Sequence, residues 1–202
     1  ETGERLLDSL QHEPEAWPQT NYRAQLIPSG PFVGGDCIQQ SLLLAIYQAR
    51  SHLVLTTPYF VPDDPLAAAL SSAAARGVQV QLVLPARNDS IMANYACNAF
   101  MEELLAAGVE IYRYDAGLLH TKSVLVDDDF ALVGTVNLDR RSLWLNFEVT
   151  LLVDNPSFVA QMTRLVQGYM AEATPMTLAQ WQARPWYKKA MENIFYLFSP
   201  LL

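Results

Sequence analysis

The apolar residues of this chain follow two alternating periods, and this alternation most constrains the fold. Short strand-like runs at residues 52–57, 78–84 and 109–114 are separated by longer stretches in which apolar residues recur at helical spacing. Strands that alternate with helices predict an α/β domain. The specific expectation is a mixed β-sheet flanked by helices on both faces.

Helix boundary signals support this division of the chain. Asp, Asn and Ser side chains accept hydrogen bonds from the first backbone N–H groups of a helix, and glycine adopts the left-handed conformation that often ends one. Gly77 and Gly108 are predicted to end two of the helices. The predicted helix starts are Asp36, Asp63 or Asp64, Asp89 or Ser90, and Asn155.

Composition indicates the domain organisation and excludes some functions. The 202 residues carry a net charge of −8, which argues against a protein that binds nucleic acid through phosphate neutralisation. Only 17% of them are charged, which excludes a disordered chain. Cys37 and Cys97 lie in helical patterns and indicate neither a disulfide nor a zinc site. Residues 1–22 are predicted to form a linker or N-terminal arm, residues 23–174 the α/β domain, and residues 175–202 an amphipathic helical tail.

Of the three histidines, His120 is the one with a lysine two positions later, a pairing that suits reactions at phosphate. His12 lies in the acidic arm and His52 begins a buried strand, so both are interpreted as structural. On the predicted strand at residues 118–126, His120 and Lys122 would point to the same face, about 7 Å apart. An ammonium group can neutralise a phosphate oxygen while an imidazole attacks phosphorus or moves a proton.

The residues that follow this pair resemble the HKD motif of the phospholipase D superfamily. Asp127 follows Lys122 after four intervening residues, and the run Gly-Thr-Val-Asn occupies residues 134–137. Glu148 stands where the family has a carboxylate that contacts the histidine. The resemblance implies a phospholipase D-like fold.

Three further stretches are similar to the bacterial cardiolipin synthase branch of that superfamily. They read Pro-Tyr-Phe-Val-Pro at 58–62, Gly-Leu-Leu-His-Thr-Lys at 117–122 and Asn-Leu-Asp-Arg-Arg-Ser at 137–142. The resemblance extends from about Gln25 to the C-terminus. It corresponds to the C-terminal half of enzymes that have two such domains and N-terminal membrane helices.

The resemblance also implies roles for the motif residues. His120, Lys122 and Asn137 would surround the phosphate. Glu148 would accept a hydrogen bond from the His120 ring and fix its tautomer. Asp127 would hold the motif together from the side.

Four other residues are candidate substrate-binding groups. Thr135 keeps the hydroxyl that many relatives supply with serine. Arg140 and Arg141 either contact a second phosphate or form surface salt bridges. Tyr59 follows a strand end, where α/β sheets place ligand groups, although core packing is the alternative.

The activity that the resemblance implies is phosphatidyl transfer between two phosphatidylglycerol molecules, which yields cardiolipin and glycerol through a phospho-histidine. Such enzymes use two histidines, so a partner half with the first motif would supply the nucleophile and His120 would be the general acid and base. No metal or cofactor is implied. The alternatives are a phospholipase or other phosphodiesterase of the same superfamily, or a non-catalytic half that docks on a membrane.

The tail predicts a further contact surface. Lys188, Lys189, Glu192 and Asn193 share one helical face, and the opposite face carries Tyr187, Met191, Ile194, Phe195, Phe198 and Leu202. This apolar face would lie either on an anionic membrane surface or on protein. The expected location is the bacterial inner membrane, with attachment through helices outside this chain and the tail as a candidate second contact.

Overall fold

The computed structural model describes residues 22–31, 36–88 and 90–197. The predicted arm up to residue 21, together with Asp89, Phe198 and Leu202, lies outside the described residues. The strands are β1 Arg23–Ser29, β2 His52–Thr56, β3 Phe60–Val61, β4 Gln79–Pro85, β5 Glu110–Tyr114, β6 Ser123–Val126, β7 Phe130–Gly134, β8 Leu138–Asp139, β9 Glu148–Asp154 and β10 Ala173–Met176. The helices are α1 Cys37–Gln48, α2 Asp64–Ala75, α3 Ile91–Ala106, α4 Arg140–Trp144, α5 Pro156–Ala171, α6 Leu178–Gln182 and α7 Trp186–Leu197.

Eight of the strands form one mixed sheet in the order β1-β9-β7-β6-β2-β4-β5-β10. The neighbours β2, β4 and β5 run parallel, and the other pairs in this sheet are antiparallel. Strands β3 and β8 pair separately as a short parallel ribbon. The parallel strands are joined through helices α2 and α3, because parallel neighbours need a crossover connection.

Helices cover both faces of this sheet, which confirms the predicted α/β class. On one face, α1, α2 and α3 bury a large cluster that includes Ile46, Leu70 and Met101, all fully buried. On the other face, α5 inserts Val159 and Val166 against a smaller cluster of strand residues. Leu165, on the same helix, is exposed.

The helix starts agree with the capping signals in three of four cases. Asp63, rather than Asp64, caps α2 by accepting a hydrogen bond from Leu66 N, and Ser90 and Asn155 cap α3 and α5 in the same way. Asp36 precedes α1 but its side chain makes no capping bond. Its ψ of 42° departs from the extended conformation in which an N-cap side chain normally meets the helix.

The hairpin of β6 and β7 is shorter than the sequence predicts. Residues 118–122 have no strand structure, and β6 begins only at Ser123. His120 and Lys122 therefore lie on the loop that enters β6, and the strand geometry predicted for them is wrong. Gly134 N still donates to Lys122 O, so the end of this loop remains fixed to β7.

The predicted boundary between domain and tail falls inside a strand. Strand β10 pairs with β5 at the edge of the main sheet, so residues 173–176 belong to the α/β unit. The sequence did not predict this strand because it contains Pro175, and proline occurs in sheets mainly on edge strands.

Helix α7 then docks on α3 through its polar side. Glu192 is buried and accepts from both terminal nitrogens of Arg184, and Lys189 Nζ lies 2.8 Å from a Glu102 oxygen on α3. The Phe195 ring stacks on Tyr95 of α3 at 4.9 Å. Thus most of the apolar side predicted to be the contact surface, namely Tyr187, Met191 and Ile194, is exposed.

Gly134 offers a direct test of the sheet geometry. A Cβ at this position would meet the Val149 carbonyl oxygen and approach Thr150 Cα to 2.7 Å. We therefore expect Gly134→Ala to lower the free energy of unfolding by about 1–3 kcal/mol or more, measured by urea denaturation. The matched control is Gly168→Ala on the exposed side of α5, where nothing lies within 4 Å and alanine should stabilise by about 0.5–1 kcal/mol. Equal effects of the two substitutions would contradict this geometry.

Candidate active site

The structure brings the His120 and Lys122 side chains into direct contact. Lys122 Nζ lies 3.3 Å from His120 Nδ1 and 3.5 Å from Nε2, and it donates to the His120 carbonyl oxygen at 2.9 Å. The imidazole is exposed and the lysine is half-buried. The predicted pairing is thus present, although the loop rather than a strand produces it.

The charge state of Lys122 depends on its surroundings. Partial burial lowers the pKa of its ammonium group, whereas the negative charges of Glu148 and Asp139 act to raise it. Because both carboxylates exert this effect, they lie within electrostatic reach of the ammonium group. A phosphate bound here would therefore meet a cation already partly balanced by protein carboxylates.

Glu148 is held by two neighbours. Its oxygens accept hydrogen bonds from Thr135 Oγ1 and from Asn146 Nδ2, the latter at 3.1 Å. The expected hydrogen bond to the His120 ring is not formed in the described structure, because these donors on the β7–β9 connection are the nearer ones. Thr135 Oγ1 also accepts from Val149 N at 3.0 Å, so the predicted substrate-binding hydroxyl is engaged in positioning Glu148.

Asp127 lies at the opposite end of β6 from Lys122. Its carboxylate accepts from the backbone N–H groups of Arg50, Ser51 and His52 at 2.8–3.0 Å. Burial acts to raise the pKa of this carboxyl group, but the three N–H donors outweigh it and hold the pKa below its usual value. The structure therefore places Asp127 outside the His120 cluster, where it fixes the connection between α1 and β2 to the β6–β7 turn.

Asn137 and Tyr59 meet at the ribbon of β3 and β8. Thr57 Oγ1 donates to Tyr59 O and accepts from Leu138 N, which ties the end of β2 to β8. Asn137 Nδ2 donates to Ser142 Oγ at 3.2 Å. These bonds place both predicted residues on one wall of a single cleft.

This cleft has a volume of about 350 Å³ and a lining that is slightly more polar than apolar. Arg141 lines it, whereas Arg140 turns to a separate cleft beside Trp144 and lies 3.7 Å from an Asp64 oxygen. The consecutive arginines, which the sequence treats alike, therefore have different surroundings. Four polar lining residues were not predicted as site residues: Ser90, Asp139, Ser142 and Asn146. For Asp139 the available signal is its place in the Asn-Leu-Asp-Arg-Arg-Ser run.

Two further findings concern the described part of the chain as a whole. Within residues 22–31, 36–88 and 90–197, no cluster of three or more His, Cys, Asp or Glu side chains could hold a metal ion. No helix of that part of the chain is both long and apolar enough to cross a bilayer.

The sequence matches a model of a known protein family. The family model described as "Cardiolipin synthase, PLD-like domain" matches residues 42–170. The chain belongs to this family. The match includes His52, His120, the β6–β7 hairpin and the cleft residues from Tyr59 to Asn146.

Curated relatives extend the similarity over the whole chain. It is 48% identical over 208 aligned residues to cardiolipin synthase A of Pectobacterium carotovorum, and 51% identical over 182 residues to that of Wigglesworthia glossinidia brevipalpis. These alignments cover 100% and 90% of this chain but only 42% and 37% of the relatives. The chain thus spans less than half the length of these curated relatives.

Solved structures share the fold at low sequence identity. A phospholipase D family member, Nuc from Salmonella typhimurium, superposes with a TM-score of 0.67 at 19% identity, covering 77% of this chain and 99% of Nuc. Phosphatidylserine synthase from Haemophilus influenzae gives a TM-score of 0.73 at 17% identity, covering 90% of this chain and 48% of the synthase. These likenesses establish the phospholipase D-like fold.

The role of Asp127 is testable through the pH dependence of stability. A carboxyl whose pKa is lowered by folding stabilises the protein above its unfolded pKa of about 3.9, and this contribution is lost as the pH falls through the folded pKa. Asp127→Asn should remove that part of the acid dependence and cost about 1–2 kcal/mol at neutral pH, measured by denaturant titration between pH 3 and 7.

The neighbouring Asp128→Asn is the matched control for this experiment. The Asp128 side chain is 86% exposed, and its ion pair with His52 spans 3.6 Å, so its loss should change stability by less than about 0.5 kcal/mol. If the free energy of unfolding of Asp127→Asn fell with pH as it does in the wild type, the backbone contacts of residue 127 would not depend on the charge of Asp127.

Proposed function

We propose that this chain supplies one half of a two-histidine active site that makes cardiolipin and glycerol from two phosphatidylglycerol molecules. The observation that carries the proposal is the direct contact of the Lys122 ammonium group with the His120 ring, in a member of the cardiolipin synthase family. An imidazole beside a cation is suited to proton transfer next to a bound phosphate. Asn137 lines the adjoining cleft, and its amide nitrogen would contact that phosphate where the cleft meets Lys122.

In the proposed mechanism, a histidine of a partner half attacks phosphorus and displaces glycerol. The new bond joins the histidine nitrogen to phosphorus, and His120 gives its proton to the departing glycerol oxygen. His120 then takes the proton of a hydroxyl on the second phosphatidylglycerol, whose oxygen displaces the histidine nitrogen. Lys122 balances the phosphate charge in both steps, and Glu148 stabilises the charged imidazole.

An exposed apolar surface supports the proposal that a partner half binds to this chain. Leu26 on β1 is paired in register with Leu151 on β9, and Val149 lies two residues away on the same face. Their exposed fractions are 62%, 37% and 39%. Val149 directly follows Glu148 on β9, with its side chain on the other face of the strand. A partner half that covers this face and the adjoining strand end would bring a second motif to His120. We propose that such a half precedes this region in the full-length protein.

We also propose that the assembled enzyme works at the surface of the bacterial inner membrane. Both substrates are anionic lipids, and the side of α7 that carries Tyr187, Met191 and Ile194 is exposed, with Trp186 beside it at 80% exposure. Aromatic and apolar groups on an otherwise polar helix suit the interface of a bilayer. In domain terms, we place the catalytic unit at residues 23–176, which includes the whole of β10.

Replacement of His120 tests the proposed chemistry. His120→Ala in the full-length protein should reduce cardiolipin and glycerol formation from phosphatidylglycerol vesicles by about 10²–10⁴-fold, because the proton-transfer group is lost. The matched control is His52→Gln, since the His52 ring pairs with the exposed Asp128 and does not line the cleft, and it should keep near-normal output. Near-normal output from His120→Ala would overturn the proposal. Phosphatidic acid as the main wild-type product would show that water is the acceptor.

Replacement of Leu151 tests the partner surface. Leu151→Asp should abolish co-purification of this chain with a co-expressed N-terminal half, because a charge would be buried without a partner at the interface. Leu165→Asp is the control: Leu165 is exposed to a similar degree, at 44%, but lies on α5 outside the proposed interface. Equal retention of the N-terminal half by both variants would contradict the assignment of this face.

A further inference from the structure

The polar cleft beside His120 and Lys122 is lined by side chains that binding of a phosphate group alone does not explain. Asp139 on β8 lines it and is only 7% exposed, whereas Arg141 lies on the exposed side of the same cleft. A buried carboxylate repels an anion and accepts hydrogen bonds from donors. The buried wall of the cleft is therefore unsuited to phosphate and suited to a neutral group that carries hydroxyls.

A second acceptor in the cleft, unlike Asp139, which already accepts from Ser142 N, lacks a donor. The side-chain oxygen of Asn137 is buried and has no hydrogen-bond partner in the described part of the chain, while its nitrogen donates to Ser142 Oγ. A buried acceptor without a donor costs about 1–3 kcal/mol, so a ligand hydroxyl that donates to it would recover free energy. Tyr59 and Ser90 add two hydroxyls to the same lining.

The position of the cleft connects it to the reacting group. Lys122 lines one small cavity together with Val136 and Leu138, the residues on either side of Asn137, so the cleft adjoins the place where the phosphate would bind. Asn137 stands between the two regions, because it lines the cleft and lies two residues before Asp139 on the same segment. A molecule held with its phosphate at Lys122 would extend its next carbon atoms into the cleft.

We propose that this cleft is a polyol subsite that binds the glycerol hydroxyls of the headgroup, with Asp139 and Asn137 as the acceptors. The inference rests on the proposed function and identifies the alcohol that the site selects. The subsite serves both half-reactions, because the glycerol that departs and the glycerol headgroup that attacks present the same hydroxyl groups. Occupation of the cleft by a polyol also places its hydroxyl, rather than water, beside the phosphorus atom.

Exchange with free alcohols tests this subsite. The full-length protein in phosphatidylglycerol vesicles is supplied with labelled glycerol or with labelled 1-propanol, and incorporation of each into phospholipid is measured against concentration. Asp139→Asn should raise the KM for glycerol about tenfold and leave that for 1-propanol within about twofold, because only glycerol has further hydroxyls to donate. Asparagine keeps the N-cap of α4 that Asp139 provides to Ser142 N, so the local fold is preserved.

The control variant and the outcomes separate this inference from the proposed function. Asp154→Asn removes a carboxylate at the opposite end of β9, paired with the exposed Arg23, and should change neither KM. Equal KM values of wild type and Asp139→Asn for glycerol, or equal losses for both alcohols, would overturn the polyol subsite. Absence of both glycerol exchange and cardiolipin in the wild-type protein would instead overturn the proposed function.

Discussion

The close approach of β7 to β9 at Gly134 is the constraint on which the candidate site depends. Thr150 Cα lies so near that any Cβ at residue 134 would collide with it, so the two strands meet at a separation that only glycine allows. This approach sets the following residue, Thr135, against Val149 and Glu148, where its hydroxyl bonds to both. It also fixes the direction in which the chain continues to Asn137 and β8. The carboxylate and the amide of the site therefore derive their positions from one strand contact.

A second set of polar contacts fixes the hairpin from its far end. Asp127, with a φ of 49°, turns the chain between β6 and β7 and at the same time binds three backbone N–H groups of the α1–β2 connection. Strand β6 is thus held at the turn by a carboxylate and flanked by β2 and β7 along its length. The loop with His120 and Lys122 extends from the other end of this strand. Asp127 therefore supports the hairpin at its turn, whereas His120 lies beyond the other end of β6, where we propose that the reaction takes place.

Much of this arrangement follows from local sequence signals. The alternation of apolar runs predicted the strands and helices, and the capping residues Asp63, Ser90 and Asn155 mark real helix starts because capping is a short-range interaction. The pairing of His120 with Lys122 was also predictable, since a spacing of two places the side chains together in any extended segment. The strand that was expected to carry them begins only at Ser123, because sheet pairing depends on partners that a local pattern does not contain.

The errors share the same cause, which is contact with distant residues. Helix α7 docks because α3 presents Glu102 to Lys189 and Tyr95 to Phe195, and nothing in the tail itself shows this. Asp139 and Ser90 are 49 positions apart in the chain, and only the fold brings them to one cleft. Arg140 and Arg141 diverge because a helical turn rotates neighbouring side chains by about 100°, which the motif alone does not reveal.

The central claim is that this chain holds half of an active site, and reconstitution tests it most directly. This chain and the N-terminal half of its full-length protein are prepared separately and together, and phosphatidylglycerol vesicles are assayed for cardiolipin and free glycerol. We expect equal amounts of both products from the combined halves and neither product from this chain alone. Cardiolipin formed by this chain alone, or by the N-terminal half alone at the full rate, would contradict it.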